Sequence, residues 1–198
     1  MIDIQRISTD KPHQLLKSFY EEALYSEQNN VEAILVASYS LSKNEVDARY
    51  VNLKSIIENN FIFFSNYESP KAKQFNEHNQ VSAVLFWNNI NIQIRMKGKV
   101  KKLSKKTNTK YFIKRSEEKN ALAISSNQSK LVDSYNRVKE NYNKSLKNDN
   151  LKKCPEYWGG FSFTPYYFEF WEGHESRINK REVFEKIDGV WKHSFLQP

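Results

Sequence analysis

Ile90-Asn91-Ile92-Gln93-Ile94-Arg95-Met96-Lys97 alternates strictly between apolar and polar side chains. A period of two puts Ile90, Ile92, Ile94 and Met96 on one face of an extended strand and the polar residues on the other. The run at 81–87 just before it is also strand-like, so 81–100 reads as an antiparallel hairpin. Outward from this pair the same logic predicts strands at 33–39, 48–55 and 61–65, with residues 42–45 as the turn joining the first two. Further strands are expected at 161–171, 177–186 and 190–196, the last two joined by a tight turn at Asp188-Gly189. Helical spacing of Leu15, Leu16, Phe19, Tyr20, Ala23 and Leu24 predicts an amphipathic helix over about 12–27. Ser69-Pro70-Lys71 reads as a helix start, with Ser at the N-cap and Pro at the first position. Residues 104–115 and 130–146 are expected to be helical. Roughly seven strands with short connections and marginal helices point to a mainly β chain folded as an antiparallel barrel.

Length and composition agree with one packed domain over 1–198. Hydrophobic residues make up 39% of the 198 and aromatics 14%, enough for a core without staples. The single cysteine, Cys154, cannot form an internal disulfide. Residues 1–6 lack the charged-then-apolar order of a signal peptide, and no apolar run reaches the ~18 residues of a membrane helix. A soluble, cytoplasmic protein with no membrane partner is expected. The net charge of +8 is unevenly spread: residues 97–119 hold ten basic side chains against Glu117 and Glu118. Such a stretch suits a solvated surface, a nucleic-acid footprint, or a face that draws small anions toward a cleft.

Phosphate-loop, nucleophile-elbow, zinc-protease and CxxC signatures are absent, and the four histidines have no metal-ligand spacing, so no metal site is expected. Cations and aromatics at strand ends stand out instead. Arg49-Tyr50-Val51-Asn52-Leu53-Lys54 places Arg49, Val51 and Leu53 on one strand face and Tyr50, Asn52 and Lys54 on the other. Lys71 on a first helical turn combines a cation with free N–H groups, as phosphate sites do. Trp158-Gly159-Gly160-Phe161 and Phe168-Glu169-Phe170-Trp171 are followed by Arg177-Ile178-Asn179-Lys180-Arg181. On a strand, residues 177, 179 and 181 share a face, which is costly to bury without anionic or aromatic partners.

These segments resemble the pyridoxamine 5'-phosphate oxidase family over about residues 30–198. The matching pieces are Arg49 through Lys54, Phe63-Phe64-Ser65-Asn66, Ser69-Pro70-Lys71, Ile92-Gln93-Ile94, Tyr111-Phe112-Ile113-Lys114-Arg115, Gln128-Ser129, Trp158-Gly159-Gly160-Phe161 and Glu169 through Arg181, all in family order. The resemblance implies an FMN-binding split β-barrel with flanking helices, working as a homodimer with FMN between subunits. It implies oxidation of pyridoxamine or pyridoxine 5'-phosphate to pyridoxal 5'-phosphate, with dioxygen as acceptor and hydrogen peroxide as product.

By the same resemblance, Arg49, Ser65 and Lys71 hold the phosphate and ribityl end of FMN, with Tyr50, Val51, Asn52, Leu53, Lys54 and Phe64 among its contacts. Gln93 reaches the flavin ring, and Gln128, Ser129, Trp171 and Arg181 come from the partner subunit. Lys54, Tyr111 and Arg115 take the substrate phosphate, Lys119 and Asn179 stand at substrate positions, and Arg177 lies over the substrate ring as the catalytic arginine. The chain departs from the family pattern at Pro70 (family Arg), Lys119 (Ser), Asn179 (His) and Phe195 (Arg). The alternatives are a split-barrel flavin oxidoreductase with another substrate, such as a phenazine-type precursor, and a flavin-binding protein without turnover. A nucleic-acid binder has no need of two sets of phosphate residues beside flavin contacts.

Overall fold

The computed structural model describes residues 1–198. Its strands are β1 (Asp3–Ile7), β2 (Ala33–Ser40), β3 (Glu45–Glu58), β4 (Asn60–Asn66), β5 (Gln80–Trp87), β6 (Ile92–Lys102), β7 (Trp158–Glu172), β8 (Lys180–Ile187) and β9 (Val190–Leu196). The helices are α1 (Lys11–Tyr25), α2 (Pro70–Glu77), α3 (Lys105–Ile113), α4 (Glu117–Ser125) and α5 (Tyr135–Asn148). Six strands close a ring in the order β2-β5-β6-β7-β4-β3, with β3 returning to β2. All of these pairs are antiparallel. β8 and β9 extend the sheet from β7, and β1 runs parallel to β3 at Ser55–Glu58.

Alternation explains the ring. Ile92, Ile94, Met96 and Val100 of β6 are buried, while Arg95, Lys97 and Lys99 between them, and Lys101 after them, are exposed. Their neighbours Val81, Ala83, Leu85, Phe161, Phe163, Phe168 and Phe170 fill the same core. Helix α1 adds Leu16, Tyr20 and Ala23, and the Tyr20 hydroxyl accepts from the Ile2 N–H at 2.8 Å. No helix is long and apolar enough to cross a membrane.

Several boundaries differ from the sequence reading. Strand β6 begins at Ile92, because Asn88–Ile90 makes one turn of 3-10 helix and Asn91 adopts a left-handed φ of 54°. Helix α1 ends at Tyr25, and α5 starts at Tyr135 rather than 130, with the Ser134 hydroxyl accepting from the Arg137 N–H. Ser69 does not cap α2 through its side chain; its hydroxyl donates to the Asn66 carbonyl. Elements β1 and α4 were not expected. The Asp188-Gly189 turn joins β8 to β9 with both φ values positive, 51° and 82°, as a two-residue hairpin turn demands.

The largest correction concerns residues 177–181. Strand β8 starts at Lys180, and Arg177 has a φ of 61° in the preceding loop. Local bonds hold that loop: the Arg177 N–H donates to the His174 carbonyl at 2.9 Å, and Asn179 Oδ1 accepts from the His174 N–H at 3.0 Å. Residues 177, 179 and 181 therefore do not share a strand face.

Candidate functional site: a cationic cleft beside the barrel

A cleft of about 880 Å³ opens where β1, β3 and β4 meet α2, α3 and α4. Five cations line it, Lys54, Lys71, Lys114, Arg115 and Lys119, against one carboxylate, Asp3. None of the five is in an ion pair within the chain, although the chain contains many. Uncompensated cations facing a concave surface form a site for anions.

One group of residues sits at the start of α2. Lys71 is 7% exposed, and burial together with the nearby Arg49 charge lowers its pKa to about 8. Ser65 and Gln128 lie on the same cleft, joined by a bond from Ser65 Oγ to Gln128 Oε1 at 3.3 Å. Arg49 stands behind this group. Its guanidinium donates to Ser38 Oγ at 2.7 Å and Gln74 Oε1 at 3.0 Å and pairs with Asp47. A buried ammonium in no ion pair, a hydroxyl and an amide fit the phosphate and polyol end of a nucleotide-like cofactor.

A second group gathers at α3 and α4. Pairing between β3 and β4 slips between Leu53 and Ser55, leaving Lys54 as an extra residue; such a bulge re-aims a side chain. Burial lowers the pKa of Lys54, Glu32 opposes that shift, and Lys119 and Arg115 add to it. Tyr111 stacks on Phe64 with centroids 3.8 Å apart, and Phe64 stacks on Trp158 at 5.2 Å. The Arg115 guanidinium lies 4.5 Å over Trp158 and donates from Nη2 to the Lys119 carbonyl at 3.1 Å. Arg115 Nη1 is buried with no partner, an unused donor beside the cleft. Burial lowers the Arg115 pKa and raises that of Tyr111. The arrangement is a second anion site backed by an aromatic wall.

Helix α3 is pinned in place from behind. Asn108 Oδ1 accepts from the Gly160 N–H at 2.9 Å, Asn108 Nδ2 donates to the Tyr67 hydroxyl, and that hydroxyl donates to the Gly160 carbonyl. A Cβ on Gly159 would stand 2.3 Å from both Asn108 Nδ2 and the Tyr67 oxygen, so the close approach requires glycine. The sequence reading assigned no role to Asn108 or Tyr67, and none to Asp3 and Gln5, which line the cleft from β1. Only the alternation of Ile2 and Ile4 with Asp3 and Gln5 hinted at that strand.

The expected residues divide. Tyr50, Val51, Asn52, Lys54, Phe64, Ser65, Lys71, Tyr111, Arg115, Lys119 and Gln128 line the cleft. Gln128 does so within its own chain, bonded to Ser65. Leu53 is fully buried in the barrel core, so its side chain contacts nothing in the cleft. Gln93, Trp171 and Arg181 lie outside the cleft as consecutive cross-strand neighbours on β6, β7 and β8. Ser129, with a φ of 65°, borders a separate hollow against α5. Arg177 is exposed in its loop, and Asn179 is used to close that loop.

Comparison with known proteins places this architecture. Residues 21–140 match the family described as pyridoxamine 5'-phosphate oxidase, and residues 158–198 match the pyridoxine 5'-phosphate oxidase C-terminal dimerisation region. A pyridoxine/pyridoxamine 5'-phosphate oxidase of Christiangramia forsetii is 34% identical over 200 residues, covering 98% of this chain and 92% of its own length. One from Hydrogenovibrio crunogenus is 32% identical, covering 97% and 90%. Among solved structures, PhzG from Burkholderia lata, in complex with tetrahydrophenazine-1-carboxylic acid, superposes with a TM-score of 0.89 at 24% identity, covering 94% and 92%. A pyridoxamine 5'-phosphate oxidase-related, FMN-binding protein from Nostoc punctiforme gives 0.75 at 13% identity, covering 92% and 96%. Both structural matches share the split-barrel fold. Sequence matches along nearly the whole chain, joined to this fold, show that the chain belongs to the pyridoxamine 5'-phosphate oxidase family.

Proposed function

We propose that this chain is an FMN-dependent oxidase that converts pyridoxamine or pyridoxine 5'-phosphate to pyridoxal 5'-phosphate. The observation that carries the reading is the pair of anion sites in one cleft, Lys71 with Ser65 and Gln128, and Lys54 with Arg115 and Lys119. Two phosphates, one on the cofactor and one on the substrate, account for cations left without carboxylates. When bound, FMN accepts the two electrons that leave the substrate C4' and passes them to dioxygen, giving hydrogen peroxide.

The chain's own part is binding and orientation. Lys71 neutralises the cofactor phosphate, with Arg49 adding positive potential from behind. Lys54, Arg115 and Lys119 hold the substrate phosphate at the other anion site, and the Phe64–Tyr111–Trp158 stack keeps water from that wall. Alignment of the two reactants is the main catalytic contribution open to such a site. Gln93, Trp171 and Arg181 lie on another face, so a second subunit brings its own row to the flavin in a homodimer. The loop arginine, Arg177, takes its place over the substrate in the same assembly.

The test is peroxide formation by purified protein loaded with FMN, assayed with each phosphorylated vitamer. Turnover of at least one supports the reading. Full FMN occupancy with no turnover of either would overturn the B6 assignment. The departures at Lys119 and Asn179 favour, as the second reading, a flavin oxidoreductase of this fold with another substrate, and that outcome would promote it.

A further inference from the structure

We propose that Glu169 is a positioning residue for the flavin, acting through Arg181; the inference rests on the flavoprotein reading above. Glu169 lies near the C-terminal end of β7 on the outer sheet face, yet it is 2% exposed. Its carboxylate is saturated with donors. Arg181 reaches Oε1 from Nε at 2.9 Å and Nη2 at 2.8 Å, while Arg95 Nη1 stands 3.1 Å from Oε2. The Tyr167 hydroxyl also donates to Oε2 at 3.1 Å, and burial with the adjacent carboxylate pushes that tyrosine up to about 12.

The registers show what this anchor does. Gln93, Trp171 and Arg181 form one cross-strand row, and Arg95, Glu169 and Val183 form the next row on the same face. Glu169 therefore grips Arg181 diagonally from the row beside the one assigned to the flavin. The Nε and Nη2 N–H groups converge on the single oxygen Oε1, and this chelating, charge-assisted contact fixes the edge of the guanidinium as well as its place. Arg181 Nη1 is fixed in turn by the Gln197 carbonyl at 2.9 Å. An arginine held through all three of its nitrogens presents a single orientation to whatever lies over Trp171. The Arg181 side chain is 25% exposed even in this pair, so loss of the carboxylate would free it to swing into solvent.

A double-mutant cycle on FMN affinity separates this role from simple sheet stabilisation. FMN dissociation constants would be measured by flavin-fluorescence titration of the full-length apoprotein for wild type, Glu169→Gln, Arg181→Ala and the double variant. Loss of a charge-assisted contact predicts about 10- to 100-fold weaker binding for each single variant. The double variant should be no weaker than Arg181→Ala. Additive losses, or either single variant at wild-type affinity, would overturn the proposal. Should Glu169→Gln not fold, Glu169→Asp serves: it keeps the charge one methylene shorter, and its smaller loss should vanish in the Arg181→Ala background. A wild-type protein that binds no FMN overturns the flavoprotein reading and this proposal with it. Normal FMN binding that is indifferent to residue 169 overturns the proposal alone.

Discussion

Lys71 shows how one buried side chain sets a binding property. Its pKa of about 8, lowered by burial and then by Arg49, leaves the ammonium partly titrated near neutrality. A phosphate dianion favours the charged form, so affinity follows the protonated fraction in the free protein. FMN affinity is expected to be flat from pH 6.5 to 7.5 and to weaken toward tenfold per unit above pH 8. Lys71→Ala should remove that pH dependence and weaken FMN by ~10- to 150-fold, as equilibrium titration across pH would show. Arg115→Ala should instead raise the substrate KM with FMN retained, because Arg115 belongs to the other anion site. If both variants lost FMN and neither changed KM, the division of the cleft would be wrong. Lys119 adds a third cation where the family pattern carries a hydroxyl. It is exposed, so Lys119→Ser should raise KM only a few-fold, about the effect of a screened surface charge, and reduce its salt dependence. The alternation of 49–54 already put Lys54 opposite Leu53. The bulge that turns Lys54 into the cleft depends on pairing with β4, which no local pattern displays.

Two elements depend on contacts made far along the chain. Helix α3 carries Tyr111 and is clasped to β7 through Asn108, Tyr67 and Gly160. Gly159→Ala must displace Asn108 and Tyr67, at a cost of about 1–3 kcal/mol for overpacking. The expected outcome is a lower Tm and a substrate KM raised more than the FMN dissociation constant, since α2 and Lys71 lie elsewhere. Helix α1 holds His13, fully buried against Phe61, Phe168 and Trp191 with neither ring nitrogen bonded. Burial lowers its pKa from 6.5 to about 4. The unfolded chain then binds more protons between those values, so stability is complete above pH 6.5 and falls as pH drops toward 4. The loss is on the order of 3 kcal/mol at most. Urea unfolding at pH 7 and pH 4.5 should show it, and His13→Leu should shrink the difference; an unchanged difference would mean that other groups carry it. The spacing of 12–27 announced an amphipathic helix, but a histidine among its apolar neighbours gave no sign of being in the core.

At the scale of the whole molecule, the cleft and the row Gln93, Trp171 and Arg181 lie on different parts of one chain. Residues 158–198 match a dimerisation region, which supports two copies completing two sites. Light scattering should give a dimer, and FMN should be released on dilution as dimers dissociate, by mass action. A monomer that retains FMN would contradict this arrangement. The net charge of +8 concentrates partly on the exposed residues Lys97, Lys99 and Lys101 of β6. Repulsion between copies should make dimer affinity rise with moderate salt if these residues face one another, and stay level if they do not.

The sequence by itself determined the β character, the hairpins and most of the anion-binding residues. Periods of two and 3.6, turn residues and family motifs are local, and each is printed along the chain. It also contained the candidate site residues in order, from Arg49 to Arg181. Tertiary structure alone decided which of them meet. Ring closure put Lys54 beside Arg115 and Lys119, and α4 with the loop after it brought Gln128 to Ser65. The same closure sealed Leu53 in the core, while bonds to His174 kept Arg177 in a loop instead of a strand. The physical reason is that the bulge at Lys54 and the buried carboxylate of Glu169 are stabilised by partners on other strands. Their energies belong to pairs of elements, which exist only once the barrel has closed.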